Sequence, residues 1–151
     1  MFNIVLLEPE IPPNTGNIIR LAANTGSKLH LIEPMGFRLE DKLLRRAGLD
    51  YREWANVVCY RSYKDFLKLS KINQLYGFST KAKRTYSEAR FTPGDALLFG
   101  PESRGLPVEV LDSLDSDNKL RIPMVEDSRS LNLANTVSIA VYEAWRQQEF
   151  N

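Results

Sequence analysis

The chain has one cysteine, Cys59, and one histidine, His30. A lone thiol excludes an internal disulfide and a cysteine-rich metal site, and a lone imidazole leaves no histidine cluster, so no metal is expected. No apolar run approaches the about 20 residues that a membrane-spanning helix requires. The start, Met1-Phe2-Asn3-Ile4-Val5, lacks the basic stretch and small-residue cleavage site of a secretory signal. A cytoplasmic location without a membrane partner is therefore expected. Neither sign of charge dominates: 20 basic against 19 acidic side chains give no global attraction to nucleic acid. Familiar signatures are missing as well. Without G-x-G-x-x-G after the first strand, G-x-x-x-x-G-K-[ST] or G-x-S-x-G, dinucleotide, P-loop and serine-hydrolase readings lose their main support. His30 sits in an apolar run and is read as structural, and Cys59 as a small core residue.

What is present is 151 residues of ordinary globular composition, 43% hydrophobic and 26% charged, enough for one domain over 1–151. Short β-like runs alternate with helical ones. Strands are expected at 3–7, 29–32, 56–60, 75–79, 96–100 and 120–123. A helix is expected from an Asn14 N-cap to Gly26, with others at 39–47, 63–69 and 107–114, the last with Pro107 in its first turn. The longest, 131–148, carries Leu133, Val137, Ala140, Val141 and Ala144 along one apolar face. Asn135, Ile139, Tyr142 and Arg146 form a second stripe, which packs either on a loop of the same chain or on a partner subunit. This alternation predicts an α/β fold with a mostly parallel sheet flanked by helices.

In such sheets ligands bind beyond the carboxyl ends of the strands. Three loops fall there: 12–17 leading to Arg20, 99–105, and 122–135. They are rich in Asn, Ser, Gly and Pro, which suits positioning rather than covalent chemistry. Methyl transfer from a sulfonium needs in-line placement of two reactants and removal of a proton from a weakly acidic hydroxyl. Glu102 and Arg20 are the charged candidates; a surface ion pair or a loop-anchoring hydrogen bond is an equal alternative for each. The basic knots Arg45-Arg46 and Lys81-Ala82-Lys83-Arg84 are either solvated surface or nucleic-acid contacts.

At these segments the chain resembles the SPOUT superfamily of knotted methyltransferases. Within it, the chain is most similar to the small tRNA 2′-O-methyltransferases that act on cytidine or uridine at the wobble position. The resemblance rests on Glu8-Pro9-Glu10-Ile11-Pro12-Pro13-Asn14-Thr15-Gly16-Asn17-Ile18-Ile19-Arg20, on Phe99-Gly100-Pro101-Glu102 with Arg104-Gly105, and on Arg121-Ile122-Pro123-Met124. Ser128-Arg129-Ser130, Asn132 and Tyr142-Glu143-Ala144-Trp145-Arg146 complete it, and it spans essentially the whole chain.

The resemblance implies a deep C-terminal trefoil knot and S-adenosyl-L-methionine as cofactor. It places the cofactor among Phe78, Ser79, Thr80, Gly100, Pro101, Glu102, Gly105, Ile122, Pro123, Met124, Ser130 and Leu131. Relatives more often carry an aliphatic side chain at the Phe78 position. Arg20 is implied in deprotonating the ribose hydroxyl. A guanidinium is a poor base, so clamping an RNA phosphate is an equally economical role for it. Asn14, Glu102, Ser130 and Asn132 carry over as further catalytic-site residues.

The resemblance also implies a homodimer, which makes the Asn135, Ile139, Tyr142 and Arg146 stripe the preferred interface. The partner is the tRNA anticodon loop, whose splayed bases suit a small protein. Basic side chains from two subunits could converge on it, with Arg45, Arg46, Lys81, Lys83, Arg84, Arg104 and Arg129 as candidates. Alternatives are 2′-O-methylation at another tRNA or rRNA position, a non-catalytic RNA-binding factor of the same fold, or a small-molecule enzyme on an ordinary doubly wound sheet.

Overall fold

The computed structural model describes residues 1–151. Its centre is β1 (Asn3–Leu7), an unbroken apolar run after Asn3 with every residue buried. Continuous runs of this kind belong to parallel strands covered on both faces. Around it lie β2 (Lys28–Ile32), β3 (Val57–Tyr60), β4 (Leu75–Phe78), the two-residue β5 (Arg84–Thr85), β6 (Ala96–Phe99) and β7 (Lys119–Arg121). They form one seven-stranded sheet in the order β3-β2-β1-β6-β4-β7-β5, parallel at every pairing. The chain builds outward from β1 to one edge and then crosses to the other side, so the order reverses between β1 and β6.

Alternate residues of each strand face opposite layers. Ile4 and Leu6 of β1 and Leu97 and Phe99 of β6 join one core with α1 (Pro12–Thr25) and α6 (Leu133–Arg146). Val5, Leu7, Ala96 and Leu98 join a second core with α4 (Tyr63–Leu69) and α5 (Val108–Asp112), through Phe66, Val110 and Leu111. The apolar face expected on the last helix is there: Val137, Ala140, Val141 and Ala144 are buried. No helix is long and apolar enough to cross a membrane.

Several boundaries differ from expectation, each for a local reason. Asn14 is not the N-cap of α1. That position is Ile11, Pro12 and Pro13 fill the first turn, and Asn14 is free to point elsewhere. The segment 39–47 is helical only in α2 (Lys42–Arg45), and a capping box of Asp50 with Glu53 starts a further short helix, α3 (Tyr51–Trp54). Pro107 is the N-cap of α5 rather than part of its first turn. Asn132 caps α6, so Leu131 lies outside it. Cys59 is exposed, not a core residue, because β3 is the edge strand. Partial cover and the nearby Glu33 carboxylate push its thiol pKa up.

His30 is buried and structural. The Asn3 amide donates to the Gly94 carbonyl at 3.1 Å, which turns its oxygen toward His30 Nε2 at 3.0 Å. Nε2 therefore carries the proton, and Nδ1 accepts from the Tyr60 hydroxyl at 2.9 Å. Burial, helped by the Lys28 charge, lowers the imidazole pKa to about 4. An unfolded histidine titrates near ~6.5, so the unfolded chain binds the extra proton first. Stability is full above that pH and falls as pH drops toward about 4, by up to about 3 kcal/mol. Urea midpoints of the wild type and His30→Gln, measured between neutral pH and that value, should diverge, with the variant flatter. Parallel curves would remove His30 from the acid sensitivity.

Candidate active site

The loops after β1, β4, β6 and β7, four neighbouring strands, meet at one cleft of about 400 Å³ at the strand-order reversal. Its floor is Phe78 and Phe99, stacked with ring centroids 4.8 Å apart. Ser79, Thr80 and Lys81 form one side, Gly100 to Leu106 another, and Ile122, Met124 and Ser130 to Leu133 a third, with Ile11, Asn14 and Thr136 completing the wall. Eleven of the twelve expected cofactor residues line it (Phe78, Ser79, Thr80, Gly100, Pro101, Glu102, Gly105, Ile122, Met124, Ser130, Leu131), and Pro123 sits between two that do.

The walls are locked by a hydrogen-bond chain that crosses the whole sequence. Asn132 Oδ1 accepts from the amides of Ala134 and Asn135, capping α6, while its Nδ2 donates to Asn14 Oδ1 at 2.9 Å. Asn14 Nδ2 donates to Glu102 Oε1 at 3.4 Å. Glu102 also accepts from the amides of Glu10 and Ile11 at 2.7 and 3.0 Å. It thus satisfies the amide of Ile11, the N-cap of α1, and that of the residue before it, where the helix has no capping side chain of its own. Of the two readings of Glu102, loop anchoring is the one the geometry displays. Ser130 lines the cleft from an exposed position without a partner of this kind.

A second tie runs the other way. The Glu10 carboxylate accepts from the Ser103 amide at 2.8 Å and from its hydroxyl at 2.7 Å. These two bonds, with the Arg104 charge, hold its pKa below the usual carboxylate range. Sequence reasoning missed this pair, since nothing in local spacing links Glu10 to a residue 93 positions on.

Arg20 stands apart from the cleft. Six residues beyond Asn14 it is turned by about 120° around α1 and displaced by about 9 Å along it. Its Nε donates to Glu53 Oε1 at 3.1 Å and its Nη2 to the Ala47 carbonyl at 2.6 Å. Among the basic candidates, Lys81 and Arg104 reach the cleft, with Arg104 3.9 Å from the Glu8 carboxylate. Arg45, Arg46, Lys83 and Arg129 are exposed away from its lining. Arg84 is occupied, donating to the main-chain carbonyls of Asp117 and Glu88. On α6, Asn135 is exposed, Tyr142 is 45% exposed, Ile139 is half-buried, and Arg146 pairs with Glu143 at 2.8 Å.

The cleft suits a nucleoside ligand. Across 122–131 only the Ser128 amide finds an acceptor within the chain, which leaves the amides of Ile122, Met124, Ser130 and Leu131 open along one wall. The half-buried Ile122 and the exposed Met124 and Leu131 supply apolar surface beside them. Apolar walls with a few fixed polar groups are what a small-molecule site requires. No three His, Cys, Asp or Glu side chains gather to hold a metal.

The SpoU rRNA methylase family model matches residues 1–142. The chain belongs to this family. It is 59% identical over 150 residues to the tRNA (cytidine(34)-2′-O)-methyltransferase of Saccharophagus degradans, an alignment covering 99% of this chain and 97% of that one. The enzyme of the same name from Escherichia coli is 58% identical over 147 residues, covering 97% and 94%. A solved structure from work on the 2-OH methylation of C/U34 on tRNA superposes with a TM-score of 0.91. It is 47% identical and covers 100% of this chain and 98% of that one. The SpoU methyltransferase AviRb of Streptomyces viridochromogenes, solved with AdoMet, gives 0.83 at 25% identity, covering 99% of this chain and 61% of that one.

Proposed function

We propose that this SpoU methylase transfers a methyl group from S-adenosyl-L-methionine to the ribose 2′-hydroxyl of nucleotide 34, cytidine or uridine, in the tRNA anticodon loop. The observation that carries the reading is the locked cleft at the strand-order reversal, walled by the three matching motifs, in a chain 59% identical to an enzyme of that name. The bound cofactor supplies an electrophilic methyl on a sulfonium, and the residues of this chain supply position. The amides of Ile122, Met124, Ser130 and Leu131 and the Gly100 loop hold the donor, while the Asn132–Asn14–Glu102 chain fixes the loop mouth where the ribose enters. Ser130 and Asn14 offer hydrogen bonds to the incoming sugar.

Arg20 contacts the substrate. Its place on the far side of α1 from Asn14 supports action on a second subunit's cleft, across a homodimer built on α1 and the Asn135, Ile139, Tyr142 and Arg146 stripe. Lys81 and Arg104 at the cleft mouth meet the phosphates nearest the reacting nucleotide. The reading includes the knotted path of the superfamily, supported by the tie between residues 14 and 132 and the packing of α6 on α1. It places the protein with tRNA in the cytoplasm.

The test is methyl transfer from labelled S-adenosyl-L-methionine to tRNA, with the product digested to nucleosides. A 2′-O-methylated pyrimidine nucleoside is expected, and a substrate carrying 2′-deoxyribose at nucleotide 34 should accept nothing. Undiminished labelling of the deoxy substrate would move the reaction to another position.

A further inference from the structure

The segment 47–53 forms a cradle around one side chain. Gly48 takes the left-handed conformation, φ 66°, which turns the Ala47 and Gly48 carbonyls toward Arg20 Nη2, at 2.6 and 3.5 Å. Glu53 closes it. One of its oxygens accepts from the Asp50 amide at 2.7 Å as half of the capping box of α3. That bond fixes the carboxylate so that the other oxygen meets Arg20 Nε at 3.1 Å. A four-residue helix has too few internal bonds to hold itself, so the box does more than end it. With Nε and Nη2 engaged, the planar fork has one orientation left, and Nη1, bonded to nothing in the chain, faces outward.

We propose that Glu53 is a positioning residue for methyl transfer: together with the Ala47 carbonyl it holds the Arg20 guanidinium so that Nη1 meets the RNA. This rests on the reading of Arg20 as a substrate-contacting residue. Glu53 makes no contact with the cofactor cleft, so its effect falls on the reaction with tRNA and not on methyl-donor binding.

Glu53→Gln is the informative variant. Its amide carries no charge and only one oxygen, so Arg20 either loses this acceptor or keeps a neutral, weaker one in place of the ion pair. Full-length Glu53→Gln, Asp50→Ala, Arg20→Ala and the Arg20→Ala/Glu53→Gln double variant are compared for kcat, KM for tRNA, KM for S-adenosyl-L-methionine and Tm. Glu53→Gln should lower kcat about tenfold, with the methyl-donor KM within about twofold of wild type. Asp50→Ala loosens α3 by removing the acceptor of the Arg52 and Glu53 amides but leaves the Arg20 partner, and should keep near wild-type kcat. In the Arg20→Ala background Glu53→Gln should add nothing. Wild-type kcat in Glu53→Gln, or an equal loss in Asp50→Ala, overturns the role of Glu53 while Arg20 stands. Full activity in Arg20→Ala overturns both.

Discussion

Two variants expected to be inactive, Arg20→Ala and Gly100→Ala, should recover about a quarter of wild-type methyl transfer when mixed after denaturation and refolding together. The first keeps its cleft and lacks the guanidinium; the second keeps the guanidinium and lacks a usable cleft. If Arg20 serves the partner's site, random pairing makes half the dimers mixed, and each mixed dimer has one complete site of two. If Arg20 serves its own site, no pairing assembles a complete one, and the mixture stays dead. Alone, Arg20→Ala should lose at least about 100-fold in kcat/KM, the scale for removing a fixed charged donor. Its methyl-donor affinity should be unchanged, because the side chain lies outside the cleft. Absence of recovery, with each variant shown dimeric, would place Arg20 in its own subunit's site.

Gly100→Ala should abolish measurable S-adenosyl-L-methionine binding by calorimetry, a loss of at least about 100-fold. A Cβ at Gly100 would sit inside the main chain of Gly105 and Leu106. Main chain cannot rotate aside as a side chain can, so the loop must open, and the upper end of the overpacking range, about 3 kcal/mol or two decades, applies. Here the displaced atoms are themselves cleft wall. Gly105→Ala is the contrast. Nothing lies within 4 Å of a Cβ there, and only its positive φ, 67°, opposes a side chain. That costs roughly 1–2 kcal/mol, so Gly105→Ala should weaken binding modestly, with Asn tolerated better than Ala. Equal behaviour of the two alanine variants would mean that backbone conformation, not close approach, governs the loop.

The sequence discloses the sheet because β1 and β6 are continuous apolar runs, and the cleft because its glycines and asparagines cluster where strands end. It does not disclose β5, whose two residues leave no period to read. It misassigns Asn14, since an asparagine behind two prolines looks like a cap, while the prolines already occupy the first turn and release its amide toward Glu102 and Asn132. Cys59 misleads because strand composition does not say which strand ends on the edge. The Glu10–Ser103 tie and the Glu53 cradle are tertiary: each acid sits among ordinary surface residues, and only the fold brings its partner near.

The bond between Asn132 and Asn14 spans 118 positions, and the cleft wall from Ser130 to Thr136 comes from the end of the chain. During synthesis every strand is therefore made before the methyl-donor site exists. A nascent chain still holding residues 130–136 within the ribosome has a nearly complete sheet and an open gutter where the cleft will form. A product cut short before residue 130 therefore lacks one wall of the cleft and the bond that ties it to Asn14.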